Sequence, residues 1–422
     1  MRWGVTWWAA LAALLAPVSA RAADGDLLSP NVLAISGDLR LVAADGEASW
    51  LHEEFGKLRG SGSRDASFRV KPELGSVDLV WQPQVGFAWS ATVVGTLQGG
   101  ERTEAGLSEA FISYKPMRRQ KLRFSARAGL MWPAISLEHG GADWHVLDTV
   151  TPSAINSWVG EEVRPLAIEG TLGTQAGAHD LSATIGVFAA NDTAGTLLTL
   201  RGWALHDRKT LAFHRQRLPP LPELLEYSQP QFTTPLLDVA PGFAKHPGYY
   251  AKIAWQLPVP VRVEVFHYDN RADPEAVNED VEWGWRTRFD NVGLVARVGP
   301  AIEIKAQAMK GSTLMGFASP DRLWIDTKFS SAFLLATHTI GKSRVAARVE
   351  LFRTRNRGSL VTTEEDEAGW ATTAAYRRDI SDNFTLLAEL LHVHSKRAQR
   401  TLEGFAPAQD QTQLQLVARA RW

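Results

Sequence analysis

The sequence predicts an all-β protein, a transmembrane antiparallel β-barrel of about sixteen strands with short periplasmic turns and long outer loops. Three observations predict it. Apolar and polar residues alternate in segment after segment, short turns alternate with long connections, and tryptophans fall at strand ends. A strand with one apolar and one polar face needs lipid or core on one side and water on the other. Repeated around a closed sheet, this pattern is typical of a transmembrane β-barrel.

The first 22 residues are predicted to be a secretory signal peptide. A positive start at Arg2 is followed by an apolar run over 3–16, and small residues precede a cleavage position after Ala22. A spanning helix would need ~20 apolar residues, and no later stretch of the sequence approaches that length without charges. The predicted organisation is therefore a leader, 1–22, and one barrel, 23–422.

Composition excludes several classes of function. The chain of 422 residues has no cysteine, which excludes disulfides, thiolate catalysis and zinc–thiolate sites. Its net charge of −1 gives no global field for binding nucleic acid. A mean hydropathy of −0.15 is compatible with a barrel, because only the outward half of each strand faces lipid.

Alternation and turn residues together give the strand boundaries. The clearest strand is 85–97, in which Phe87 and Trp89 face one way and Ser90 the other. An even strand count places both chain ends on the periplasmic side. Eighteen strands are the alternative, because 196–205 has the pattern of a strand within the longest connection. The sixteen predicted strands are 31–43, 67–81, 85–97, 105–115, 121–132, 161–174, 180–190, 248–257, 261–269, 281–298, 301–310, 323–340, 343–355, 367–378, 383–395 and 411–422.

Tryptophan is unusually common, with 16 residues against 6 tyrosines. Its amphipathic ring prefers the headgroup region, so strand-end tryptophans predict a girdle at each membrane interface. The alternative is a soluble β protein with core tryptophans, although a core would not select strand ends. The predicted periplasmic girdle is Trp81, Trp255 and Trp422, and the predicted opposite girdle is Trp132, Trp283, Trp324 and Trp370.

The chain resembles Gram-negative porins, and in particular the phosphate-selective porin O and P-like group. The stretches 109–116 (EAFISYKP) and 127–133 (RAGLMWP) carry the resemblance, together with the terminal aromatic residue Trp422. The resemblance implies a sixteen-stranded barrel, a homotrimer and a third loop folded into the channel. The lysine-rich loop motif that would imply phosphate selectivity is not evident in this sequence.

Charged residues on the inward strand faces are predicted to line a water-filled channel, because rings of charge set pore selectivity. The basic set is the larger, which favours anions weakly, and Arg123 with Arg127 predicts a local basic ladder. The alternative is that salt bridges between neighbouring strands pair most of these charges and leave little net electrostatic field in the channel. The predicted pore-lining residues are Arg40, Arg69, Lys71, Arg123, Arg127, Arg262, Glu264, Arg286, Arg288, Glu303, Lys305, Lys328, Arg348 and Glu350.

Two long connections are candidates for a constriction. In 133–160, Thr151 before Pro152 reads as a helix start, and a short helix folded inward would narrow the pore. An ordered surface lid is the alternative. The rival connection, 191–247, is stiffened by prolines at 219–222. The predicted constriction residues are Glu138, His139, Asp143, His145 and Asp148.

The sequence predicts no enzyme, metal site or cofactor, because it lacks His-Glu-x-x-His, Gly-x-Ser-x-Gly and Gly-rich phosphate-loop motifs. The predicted function is passive diffusion of small hydrophilic solutes, weakly favouring anions. The predicted setting is the lipid of a Gram-negative outer membrane, in which the protein is integral. Two alternatives stay open. One is an outer-membrane hydrolase of ten to twelve strands, and the other is a structural or adhesive barrel plugged by one of the two connections.

Overall fold

Sixteen long strands of the described residues form one closed antiparallel barrel. The computed structural model describes residues 32–60, 67–100, 103–117, 121–190, 194–212, 214–219, 232–233, 247–277, 282–318, 322–359 and 365–422. The predicted leader, 1–22, lies outside these ranges. The strands are Leu33–Ala44 (β1), Arg69–Trp81 (β2), Trp89–Gln98 (β3), Glu104–Tyr114 (β4), Leu122–Leu130 (β5), Leu166–Ala176 (β6), His179–Ala190 (β7), Gly248–Gln256 (β8), Val261–Asp269 (β9), Arg286–Val298 (β10), Ile302–Ala318 (β11), Leu323–Ile340 (β12), Ser343–Asn356 (β13), Glu367–Asp379 (β14), Phe384–Arg397 (β15) and Ala408–Arg421 (β16).

Closure occurs where the last strand pairs with the first. The register of β1 against β16 runs from Ser36 opposite Arg421 to Ala44 opposite Gln413, and every other strand pairs with its neighbours in sequence. Beyond the strand, the Trp422 N–H donates to the Ile35 carbonyl at 2.8 Å. The predicted fold class and strand count are confirmed.

Helix is scarce in the described part of the chain. The longer helix is Ala154–Glu162 (α1) and the shorter is Thr196–Leu200 (α2), with 3₁₀ turns at Trp50–His52 and Ala398–Glu403. No helix among the described residues combines the length and the apolar character needed to cross a membrane. The alternative of a strand over 196–205 is wrong. This segment lies away from the sheet, so it satisfies its backbone groups in a helical turn rather than in a ladder.

Short turns and long connections lie at opposite ends of the barrel. At one end, strands are joined by turns as short as 177–178 and 341–342, and β1 begins and β16 ends there. We call it the short-turn end. The other end, here the long-loop end, carries connections such as 45–68, 131–165 and 191–247. The asymmetry follows the predicted alternation.

The outer face of the barrel is a band of exposed apolar side chains. Leu39, Ile168, Ile253 and Leu351 are among its most exposed members. They alternate along their strands with buried residues, as the period of two requires. An apolar exterior that runs around the whole sheet is stable in hydrocarbon and costly in water.

The barrel interior is packed rather than empty. From β8 to β13, many inward residues are aromatic or large and aliphatic, and they bury against α1 and its neighbours. Trp158 of α1 lies 5.3 Å from Phe289 and 5.2 Å from Phe329, measured between ring centroids. This part of the wall therefore has an apolar inner face, which is the reverse of the pattern expected for a water-filled lumen.

The predicted aromatic girdles need two corrections. Trp132 is buried inside the barrel, where its indole N–H donates to the Val159 carbonyl at 3.2 Å. Trp283 is buried in a rim cluster with Trp324 and Phe317. Trp132 follows β5 and Trp283 precedes β10, so both resemble girdle residues in sequence. The chain beyond each strand end turns inward, however. The remaining predicted girdle residues lie as follows: Trp255, Trp370 and Trp422 are exposed, while Trp81 and Trp324 are half-buried at strand ends.

Candidate functional site

Two segments from the long-loop end fold into the barrel. We call residues 131–163 the first inner segment and residues 194–212 the second inner segment. All of α1 is buried, as is all of α2. Both candidate constriction connections therefore contribute residues to the barrel interior. Residues 191–193, 213, 220–231 and 234–246 of the connection 191–247 lie outside the described residues.

The helix of the first inner segment begins two residues later than the sequence suggests. Its N-cap is Ser153, whose hydroxyl accepts from the Asn156 N–H at 3.4 Å, rather than Thr151. Thr151 is held elsewhere, because its N–H donates to the Glu389 carboxylate on β15 at 2.9 Å. A Thr-Pro pair is compatible with a helix start, and here tertiary contacts move that start to the next serine.

Arg348 of β13 fastens the first inner segment to the wall. Its guanidinium donates to Glu138 at 2.8 Å, to Glu350 at 2.9 Å and to the Thr151 carbonyl at 2.9 Å. Glu350 in turn accepts from the Ala154 N–H, at the start of α1, at 2.7 Å. A buried arginine fork satisfied on several sides holds one geometry far better than a lone ion pair would.

Adjacent carboxylates at the end of α1 join the two inner segments. Glu162 accepts from the N–H groups of Gly195 and Leu197, at 2.9 and 3.0 Å, and so caps α2, which has no side-chain cap of its own. Glu161 pairs with Arg201 at 2.6 Å. Burial raises the pKa of Glu161, but the Arg201 guanidinium and then His206 outweigh it and lower the pKa to about 2.

We expect this junction to loosen only below about pH 4.5. A carboxyl whose folded pKa is lowered contributes stability above its unfolded pKa, here 4.5, and loses it as pH falls towards about 2. The hydrogen-exchange protection factors of α1 and α2, which correct for the intrinsic pH dependence of exchange, should be constant from pH 7 to pH 5 and fall below about pH 4.5. Glu161→Gln, which cannot titrate, should remove most of that loss of protection. An unchanged acid response in the variant would contradict this role.

Charged residues of the second inner segment bind it to β1, to β2 and to the connection 45–68. Asp207 bridges Arg40, at 2.5 Å, and Arg59, at 2.8 Å. Lys209 reaches Asp78 at 2.6 Å. Sequence reasoning missed Asp207 and Lys209, because it singled out the prolines and a possible strand in the connection 191–247 but none of its charges. The dense charges of 201–209 were the available signal, but they point to the interior only once the segment is known to fold inward.

The five predicted constriction residues all lie on the first inner segment, but they do not form one ring. Glu138 lies at the Arg348 fork, and Asp148 pairs with Lys305 and Arg344 of the wall. Asp143 and His145 contact each other at 2.7 Å near the short-turn end. His139 stacks on Trp144 with ring centroids 3.6 Å apart, and burial followed by the charge of Lys209 lowers its pKa well below the ordinary value.

Three predicted pore-lining residues face outward. Arg286, Arg288 and Lys328 share the outer face with exposed apolar residues, while Phe289 and Phe329 point inward. The prediction assumed a polar inner face. At the long-loop end of β10 and β12, the interior is apolar because it packs on the inner segments, so the phase of the pattern is reversed.

The other predicted pore-lining residues lie on the inner face, and most are paired. Arg123 bonds Asp180 at 2.7 Å, and Arg127 bonds Glu169 at 2.9 and 3.0 Å, so the predicted basic ladder is neutralised in part. Arg69 and Lys71 stand opposite Ala44 and Val42 at the long-loop end. The paired residues are Arg40 with Asp38, Arg262 with Glu264, Glu303 with Arg297, Lys305 with Asp148, and Arg348 with Glu350.

At the short-turn end, the interior opens into a polar vestibule. It includes a cavity of about 110 Å³ whose lining contains Asp38, Asp143, His145, Arg419 and Arg421. Arginines at this end stand nearer to water than their partners do. The exposed fractions are 47% for Arg262 against 4% for Glu264, 36% for Arg344 against 1% for Asp148, and 49% for Arg421 against 3% for Asp143.

Comparison with known proteins supports the fold. No family model matches the sequence. No curated protein matches it either. Among solved structures, the outer membrane channel DcaP of Acinetobacter baumannii aligns with a TM-score of 0.53 and 10% identity, over 93% of this chain and 99% of that chain. An anion-selective porin from Comamonas acidovorans gives 0.49 and 11%, over 92% and 98%. The trimer form of OmpT, an outer membrane protein of Vibrio cholerae, gives 0.46 and 9%, over 92% and 99%.

At these identities the likeness to DcaP shows a shared fold and no more. The chain is thus a porin-like barrel of the outer-membrane type. The narrower resemblance to the phosphate-selective porin O and P-like group stays a prediction.

Proposed function

We propose that the protein is an integral channel of the Gram-negative outer membrane, through which small hydrophilic solutes diffuse passively. The observation that carries the proposal is a closed sixteen-stranded barrel whose exterior is apolar and whose interior is rich in charge. Sixteen strands enclose more space than side chains of the wall alone can fill. The homotrimer belongs to the proposal through the sequence resemblance alone.

The proposed channel is narrow, because the inner segments occupy most of the bore. Solutes would enter the polar vestibule at the short-turn end and pass beside the inner segments. The hydrolase alternative loses its basis, since it required ten to twelve strands and the described barrel has sixteen.

A mild preference for anions is part of the proposal. In the vestibule, the carboxylates of Glu264, Asp148 and Asp143 lie behind arginines that face water. A passing ion therefore meets positive charge first, and the compensating negative charge is farther away and partly shielded. Such an arrangement favours anions without excluding cations.

Removing two of these arginines should reduce the preference for anions. In Arg262→Gln/Arg421→Gln, Glu264 keeps Lys252 at 2.9 Å and Asp143 keeps His145 at 2.7 Å, so no buried carboxylate is stranded. The reversal potential under a KCl gradient should shift towards the cation value. The matched control Lys342→Gln/Arg378→Gln removes two exposed charges from the same end of the barrel, one in a turn and one on the outer face of β14. Equal shifts in both variants would refute the assignment.

A structural barrel, plugged by the inner segments, is the second candidate. The buried contacts of α1 and α2 with the wall favour it. The two candidates differ in one result: a plugged barrel carries no current until an inner segment is removed.

A further inference from the structure

A basic patch lies on the outer face of β10 to β13 near the long-loop end. All of its members are exposed, and none forms an ion pair with another residue in the described ranges. We call it the outer basic patch. It consists of Arg286, Arg288, Lys310, Lys328, Arg353 and Arg355.

Strand register places these cations in adjacent rows. One row across the four strands is Asp290, Lys310, Ser330 and Arg353. The next row towards the long-loop end is Arg288, Ser312, Lys328 and Arg355. Arg286 stands one row further towards the long-loop end, opposite Leu314. With strands ~4.8 Å apart and ~3.4 Å per residue, all six cations fit within a surface of about 14 Å by 14 Å.

Charge in this patch is not balanced from within. Lys328 and Arg355 stand directly opposite each other, an arrangement that is destabilising unless an anion neutralises it. Three carboxylates lie on this face or border it. Asp269 of β9 stands opposite Arg288 and accepts from the Arg271 N–H at 2.8 Å. Asp290 is already engaged by His267 at 2.7 Å, and Asp326 lies half-buried beyond Lys328. The surplus of positive charge therefore calls for an anionic partner from outside the chain.

The height of the patch identifies that partner. The row immediately below it, towards the short-turn end, is Val292, Ala308, Ala332 and Leu351, which belongs to the apolar band. The cations thus stand at the boundary where hydrocarbon gives way to headgroups. Lipid phosphates lie at this level, and each lysine or arginine near an anionic headgroup adds to binding.

We propose that the outer basic patch binds the phosphate groups of a phosphorylated glycolipid in the outer leaflet of the membrane. Arginine can hold phosphate with two hydrogen bonds, and lysine adds point charge. Opposed cations such as Lys328 and Arg355 would share one phosphate. This site is separate from the channel, because its side chains point away from the bore.

The test compares binding of a defined, bisphosphorylated glycolipid to full-length protein in neutral detergent. The patch variant should bind at least about 50-fold more weakly than wild type, and the control should bind like wild type. Conductance of both variants should be unchanged, which shows that each folds. The patch variant is Arg288→Gln/Lys310→Gln/Lys328→Gln/Arg355→Gln, and the control is Lys115→Gln/Lys121→Gln/Lys342→Gln/Arg378→Gln, four exposed cations at the short-turn end.

Two further arms identify the ligand. The same glycolipid without phosphates should bind wild type as weakly as the phosphorylated lipid binds the patch variant. Inorganic phosphate should compete poorly, because it lacks the acyl chains that the apolar band holds. Equal binding by the patch variant, equal binding of the dephosphorylated lipid, or full competition by inorganic phosphate would each overturn the proposal.

Discussion

Replacing residues 131–165 with a tight turn should raise the ion conductance of the protein several-fold. A tight turn can join β5 to β6 without disturbing the barrel, because Leu130 and Leu166 stand opposite each other at the ends of these two strands. It removes α1 and the cap that Glu162 supplies to α2. With the first inner segment removed and α2 no longer capped by it, water should fill the bore of the barrel.

The measurement is single-channel current in planar bilayers, with heat-modifiable gel migration to show that the variant is folded. The apolar inner residues, such as Phe289 and Phe329, lose their packing partners, so the variant should also unfold at lower denaturant than wild type. The backbone ladder of the barrel is untouched and should keep it closed. A folded variant with wild-type current would contradict the assignment of this segment as the constriction.

Substituting Arg348 should be among the most damaging single changes. Arg348→Met leaves Glu138 and Glu350 as buried carboxylates without their shared cation. Breaking a buried ion pair by removing one partner costs roughly 3–5 kcal/mol. The first inner segment should detach from β13, with faster hydrogen exchange in α1 and larger, noisier current steps.

Two further variants separate charge from packing. Arg348→Lys keeps the charge but loses the planar fork, so it should recover only part of the lost stability. The triple variant Arg348→Met/Glu138→Gln/Glu350→Gln removes the stranded charges and should be more stable than Arg348→Met alone. If the triple variant were the less stable of the two, the buried carboxylates would not be the cause of the damage.

The alternation of apolar and polar residues is sufficient to predict the barrel fold. It is present wherever one face of a strand contacts lipid and the other faces a polar interior. At the short-turn half, the inner residues are polar, and residues such as Arg123 and Arg262 lie on the inner face as predicted. Each strand there pairs with the strand next to it in sequence, and the turn residues between them mark the strand boundaries.

Prediction failed where the inner segments pack against the wall. The alternation predicts that Arg286 and Lys328 face inward, but they face outward because the interior behind them is aromatic. The strand pattern predicts Trp132 as a girdle residue, because nothing in that pattern reveals that the following chain turns into the barrel. The partners of Asp207 and Lys209 lie more than a hundred residues away in the sequence. The pattern of neighbouring residues therefore cannot predict these contacts.

The most direct test is the current through the intact, purified protein in a planar bilayer under a KCl gradient. The proposal predicts discrete steps, smaller than those of the variant without residues 131–165, and a reversal potential on the anion side. If the intact protein carries no current even at high protein concentration, while the variant without residues 131–165 conducts, the proposal is contradicted and the barrel is permanently plugged.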